Sequence, residues 1–350
     1  MKRIYWLDVA RFVAIILVVF THSHERAGVQ DLLSKSVFYT IDRLGVPIFF
    51  MISGGLILDK IKSTPMLPFY LKRIPQFLIV LVAYCIATNI IKCFTEGVGI
   101  LESVILSVTE FNGVTNTSEH LGIYGGARQM WYMYAIIQLY LIYPFLARMV
   151  SNLTTRQVFG FMFLCLFFGQ IIRTADAFSI HSDFVKKMPS EFLGVYIPYV
   201  LLGYLIIRRD ILKKLSRAYI LTFSMLLFIV PISLLIFADL STGKLINNMH
   251  WYSDSLFVFT SGAGLFVLLK FFFDGDYRES RFIIAVSKFS FGIYLSHYAF
   301  LYVILSINQH YLNITDAMFL TVALFVTAFL FSMVFVRIMF ANSISAYFVK

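Results

Sequence analysis

The sequence predicts an all-α, polytopic membrane bundle of about ten transmembrane helices with both termini cytoplasmic, and three observations carry the prediction. Hydrophobic residues make up 59% of the 350 and charged residues only 14%, against about 45–50% apolar and about 25% charged in soluble domains. The apolar residues gather into blocks of about 17–25, the length a helix needs to cross the hydrocarbon layer. Lys and Arg fall in the short stretches between blocks, where they set topology. A soluble chain would have to bury every block and would lack polar sequence to coat its outside. The net charge of +10 thus belongs to connections between spans, and a nucleic-acid partner is not expected, since that needs a basic face or stripe.

Taken in order, the spans are expected at roughly 6–24, 38–58, 74–92, 130–148, 157–173, 191–207, 218–238, 253–273, 289–307 and 316–339. The first follows Met1, Lys2 and Arg3 but contains Asp8, Arg11 and His22 and precedes no small-residue cleavage site. It is expected to stay as a helix, not to be removed as a signal peptide. No repeat, low-complexity tract or Pro/Gly-rich linker divides the chain, so residues 1–350 are read as one transmembrane domain. The cysteines, Cys85, Cys93 and Cys165, lie in or beside apolar blocks without disulfide or metal-ligand spacing. They are expected as core or lipid-facing thiols, and neither a metal nor a bound cofactor is expected.

One side of the membrane receives Lys2, Arg3, Lys60, Lys62, Lys72, Arg73, Arg148, Arg156, the run from Arg208 to Arg217, Arg278, Arg281, Lys288, Arg337 and Lys350. The other has fewer, chiefly Arg26, Lys35, Arg128, Arg173, Lys186, Lys187 and Lys244. The excess of basic residues assigns the first side to the cytoplasm. Segment 93–129, with Glu96, Glu102, Glu110, Glu119 and His120, is then a partly ordered outer loop. His24, His181 and His250 are expected in outer loops with solvated roles.

Ionisable groups inside a span are costly and need a reason. Arg11 and His22 are eleven residues apart, about 1100° of rotation, so both face within about 20° of one direction. Asp8 precedes Arg11 by one turn on the same side and can pair with it. The stripe extends about 16 Å along the axis from Arg11 to His22. Arg11 snorkelling to headgroups with Asp8, and His22 marking the outer interface, would be the structural explanation; alignment of all three on one face favours a functional one.

These residues carry a resemblance. The segment IYWLDVARFVAIILVVFTH resembles the opening of membrane acyltransferase family 3, inner-membrane O-acyltransferases whose signature is Arg, ten residues, then His, matched by Arg11 and His22. GVPIFFMISG at Gly45 to Gly54, MWYMYAIIQLYLIYPFL at Met130 to Leu146 and SFGIYLSH at Ser290 to His297 resemble later family blocks, in the right order. One departure is that Tyr70 stands where many members have the first of two arginines; Arg73 fits the second, and Lys72 can supply a charge.

The resemblance implies transfer of an acyl group, by default acetyl from acetyl-CoA on the cytoplasmic side, to a hydroxyl of a lipid-linked sugar or polysaccharide. It also implies a multi-pass location in the bacterial inner (cytoplasmic) membrane, with acyl-CoA, glycan acceptor and membrane lipid as partners. His22 is the expected base or transient acyl carrier, because an imidazole titrates near neutral pH. Arg11 is expected to hold acyl-CoA or stabilise developing charge, Asp8 to orient Arg11, and Lys72 and Arg73 to bind donor phosphate. Arg43, Ser53, Trp131, Tyr134, Tyr294 and His297 are candidates for a cavity that receives the acceptor. A transporter of sugar-lipid or polysaccharide is the competing class, opposed by the lack of paired inverted halves and by the concentration of charge in one helix.

Overall fold

The computed structural model describes residues 3–109, 126–180, 194–275 and 278–349. Among the described residues every regular element is helical. Among the described residues, nine helices are long and apolar enough to span a membrane: Tyr5–Ala27, Leu32–Ile61, Met66–Thr95, Arg128–Asn152, Thr155–Ala177, Arg217–Thr242, Leu256–Phe273, Arg281–Leu312 and Ala317–Met339. The block expected at 191–207 yields the eleven-residue helix Ile197–Ile207. Its length of about 16 Å is half the hydrocarbon thickness, so it does not cross as a straight helix of that length.

Several boundaries differ from expectation. The second span is two helices, Leu32–Asp42 and Gly45–Ile61. Asp31 caps the first, accepting the Ser34 N–H at 2.8 Å and the Ser34 hydroxyl at 2.7 Å; those bonds hold its carboxyl below the usual range. The third span starts at Met66, just after Pro65, so Lys72 and Arg73 lie in its second turn and not at its opening. It also runs on to Thr95, and Ile100–Thr109 forms another helix. Much of 93–109 is therefore regular helix and not irregular loop, while Glu110, Glu119 and His120 lie outside the described residues. In the fifth span a Thr154–Gln157 capping box starts the helix and a π-turn at Phe167–Ile171 interrupts it.

The helices group into two compact units: Met1–Val18, Gln30–Thr64 and Ile142–Ile284 form the first, and Val19–Val29, Pro65–Leu141 and Ala285–Lys350 the second. In the first, Gly45–Ile61 and Ile197–Ile207 touch through glycine. A Cβ on Gly54 would lie 2.0 Å from the Val200 carbonyl oxygen, and one on Gly203 would lie 1.8 Å from that of Met51. Without water to drive helices together, such backbone-to-backbone packing is what holds them. In the second, Tyr298, Leu301, Tyr302, Leu324 and Ala328 form a buried cluster. All three cysteines are buried and unbonded to one another.

Candidate active site

His22 sits near the end of Tyr5–Ala27, and its ring is fixed on three sides. Nδ1 lies 3.0 Å from Glu25 Oε2, one turn later on the same helix. The imidazole stacks on His297 with ring centroids 5.4 Å apart and planes inclined 23°, and meets the edge of Tyr298 at 5.1 Å. An ionised carboxylate only accepts hydrogen bonds, so Nδ1 carries the proton, and in the neutral imidazole Nε2 presents the lone pair. A neutral, oriented imidazole backed by a carboxylate is the arrangement that abstracts a proton and then stabilises the cation formed.

His297, on Arg281–Ile307, is fully buried. Its Nδ1 is 3.0 Å from the Ile293 carbonyl oxygen, which again only accepts, so Nε2 is the free lone pair. That nitrogen is buried without a hydrogen-bond partner. Tyr294, one turn earlier, donates its hydroxyl to the Gln129 carbonyl and packs edge-on against Tyr132 at 5.3 Å. Gln129 Nε2 points to the Leu295 carbonyl at 3.4 Å, leaving Oε1 unpaired. The second unit thus contains several buried polar atoms without partners, among them also the Tyr84 hydroxyl, Thr88 Oγ1, Asn89 Nδ2 and Arg26 Nε. Such groups are rare in a packed interior and call for a ligand or water.

Of the expected site residues, His22, Tyr294 and His297 come together. Asp8 and Arg11 belong to the first unit, where Asp8 is shared: Arg3 Nε is 2.6 Å from it and Arg11 Nη1 is 3.6 Å. The closer partner is therefore Arg3, whose pKa the Asp8 bond raises further. Arg43 is buried between the faces of Tyr39 and Trp251, at 4.9 and 4.7 Å, with Nη1 3.3 Å from the Tyr252 hydroxyl. Ser53 exchanges a hydrogen bond of 2.9 Å with the Tyr143 hydroxyl. Lys72 is exposed, and Arg73 reaches Gln76 at 3.5 Å. Trp131 is half-buried and Tyr134 is 43% exposed.

Two histidines read as solvated are buried. His24 is 1% exposed, packed against Phe20, because the first helix continues through it to Ala27. His250 Nε2 is 2.8 Å from the buried Asp239 carboxylate. His181 lies outside the described residues. Sequence reasoning passed over Glu25, Gln129 and Tyr298. The spacing of Glu25 three residues after His22 was a readable cue; the other two depend on tertiary packing.

A family model described as an acyltransferase domain matches residues 4–337. The chain belongs to that family, membrane acyltransferase family 3, and is a multi-pass membrane acyltransferase. Neither the curated proteins nor the solved structures compared with the chain give a match.

Proposed function

We propose that the protein transfers an acyl group, by default acetyl, from acyl-CoA to a hydroxyl of a lipid-linked sugar or polysaccharide. The observation that carries this reading is the His22–Glu25 pair, in which Nδ1 faces the carboxylate and the neutral ring keeps its lone pair on Nε2. Nε2 takes the proton of the acceptor hydroxyl as its oxygen attacks the thioester carbonyl. The new C–O bond forms, the C–S bond breaks, and the thiolate leaves and recovers the proton from the imidazolium. Glu25 stabilises that imidazolium, which favours His22 as a base over His22 as an acyl carrier.

Lys72 and Arg73 are proposed contacts for donor phosphates; Arg11 is, separately, a proposed acyl-CoA contact in the first unit, with Asp8 as the group that orients it. The distribution of basic residues supports cytoplasmic termini, donor access from inside and a bacterial inner-membrane location. Trp131 and Tyr294 are proposed to pack on sugar faces. The test supplies labelled acetyl-CoA to membranes that contain the protein and follows the label into lipid-linked and polymeric glycans. Label in either fraction supports the reading and names the acceptor class. Folded protein that labels neither, across small acyl-CoA donors, overturns it.

A further inference from the structure

At one end of the fifth span, Thr155–Ala177, the first unit holds a cavity of about 350 Å³ lined by Arg173, Asp176, Ala177, Asn248 and Asp254. That volume lies at the small end of the about 300–1,000 Å³ that small-molecule sites occupy. Its walls are the end of the span and the connection that leads into Leu256–Phe273. The π-turn at Phe167–Ile171 carries Gln170, whose amide donates to the Val195 carbonyl at 2.7 Å and the Tyr252 carbonyl at 3.1 Å. One turn on, the Thr174 hydroxyl donates to the Asp254 carbonyl at 3.2 Å and accepts the Leu256 N–H at 2.8 Å. The connection itself turns tightly: the Trp251 N–H meets the Asn248 carbonyl at 3.2 Å, and the Asp254 N–H meets the Trp251 carbonyl at 3.2 Å. Together these bonds bring Asn248 and Asp254 to the same space as Arg173 and Asp176. Single π-turns inside helices recur at functional sites.

The lining mixes donors with acceptors. Arg173 donates through Nη1 to Asp254 Oδ1, and the Ser253 hydroxyl donates to Asp254 Oδ2 at 3.1 Å. A carboxylate offers about four acceptor positions, so Asp254, whose side chain is 24% exposed, keeps capacity toward the cavity. Asn248 is exposed, and its amide both donates and accepts. An anion in this space would meet the carboxylates of Asp176 and Asp254, and a bare cation would meet the guanidinium of Arg173. A sugar hydroxyl donates and accepts at once, and neighbouring hydroxyls on one ring can engage carboxylate, amide and guanidinium together.

We propose that this cavity binds a neutral sugar unit of a glycan, with Asp176 and Asp254 accepting from its hydroxyls and Asn248 and Arg173 donating to them. Arg173 stands on the side that the distribution of basic residues assigns to the outside, where a surface glycan is met. That the glycan is the acyl acceptor rests on the acyl-transfer reading; sugar binding at the cavity does not.

The test is calorimetric titration of the purified full-length protein, without donor, with glucose, galactose, mannose and N-acetylglucosamine, and separately with inorganic phosphate. The expected result is binding of at least one sugar, little altered by salt, and no binding of phosphate. Asp254→Asn turns an acceptor oxygen into a donor, and affinity should fall at least about tenfold, the worth of one hydrogen bond to a charged group. Asn248→Ala guards against a folding defect, since Asn248 is exposed; it should weaken binding in the same direction at an unchanged melting temperature. No sugar bound, or sugar bound equally well by both folded variants, overturns the site, and binding of phosphate alone overturns the neutral ligand. Sugar binding by a wild-type protein that transfers no acyl group overturns the enzymatic reading and the acceptor assignment but leaves the cavity standing. Acyl transfer without sugar binding does the opposite.

Discussion

Each unit contains a histidine paired with a carboxylate, and the two pairs differ in what the rest of the ring meets. In the first, His250 Nε2 faces Asp239 at 2.8 Å while Nδ1 is 3.5 Å from Thr40 Oγ1. Asp239 is further held by the Ser36 hydroxyl at 2.6 Å and the Ile246 N–H at 2.8 Å. Every polar atom of that network has a partner, and its effect is to tie Leu32–Asp42 to Arg217–Thr242. In the second, His22 engages Glu25 through Nδ1, and its neighbour His297, like Gln129 against Tyr294, keeps an unpaired buried atom. A closed network stabilises; an open one is built for something that arrives. The residue types are the same, and the unused hydrogen-bonding capacity tells them apart.

The sharpest way to break this contrast is His22→Ala. Removing a general base is expected to lower acyl transfer by about 10²–10⁴-fold, read with labelled acyl-CoA, while yield and melting temperature in detergent stay near wild type. Activity that survives would take His22 out of the chemistry. Asp239→Ala should do the reverse: breaking a buried pair costs about 3–5 kcal/mol, so thermal stability should fall sharply. Turnover per folded molecule should hold, and a specific loss of turnover would make the first pair functional too.

Glu25→Gln sharpens the comparison from the other side. The amide cannot stabilise an imidazolium, and turnover should drop on the order of 10²-fold with little change in melting temperature. An effect confined to stability would make the Glu25 contact structural. The smallest effect is expected from Thr40→Val. Its bond to His250 is long, and removing it should cost about 0.5–1 kcal/mol, seen as a slight shift in melting temperature with transfer unaltered.

Much of the fold was legible. Spans such as Arg217–Thr242 and Ala317–Met339 stand out because lipid imposes a length and a polarity on the sequence directly. What escaped were features where helices meet each other. The break at Arg43 and Leu44, the shortness of Ile197–Ile207 and its close packing through Gly54 and Gly203 have no counterpart in the hydropathy pattern. A hydropathy pattern treats lipid-facing and helix-facing apolar residues alike.

The site divides the same way. Its anchor, His22, was readable because an imidazole in an apolar helix is costly, and Glu25 was within reach through helical spacing. By itself, then, the sequence determined the membrane class, the approximate spans, the family and the helix that bears the histidine, since these depend on local composition and period. The tertiary structure alone decided that His297 and Tyr298 clamp the ring and that the His250–Asp239 pair is closed off by Ser36 and Thr40. Contacts across long stretches of chain obey no sequence period, and whether a buried polar atom has found its partner is a property of packing alone.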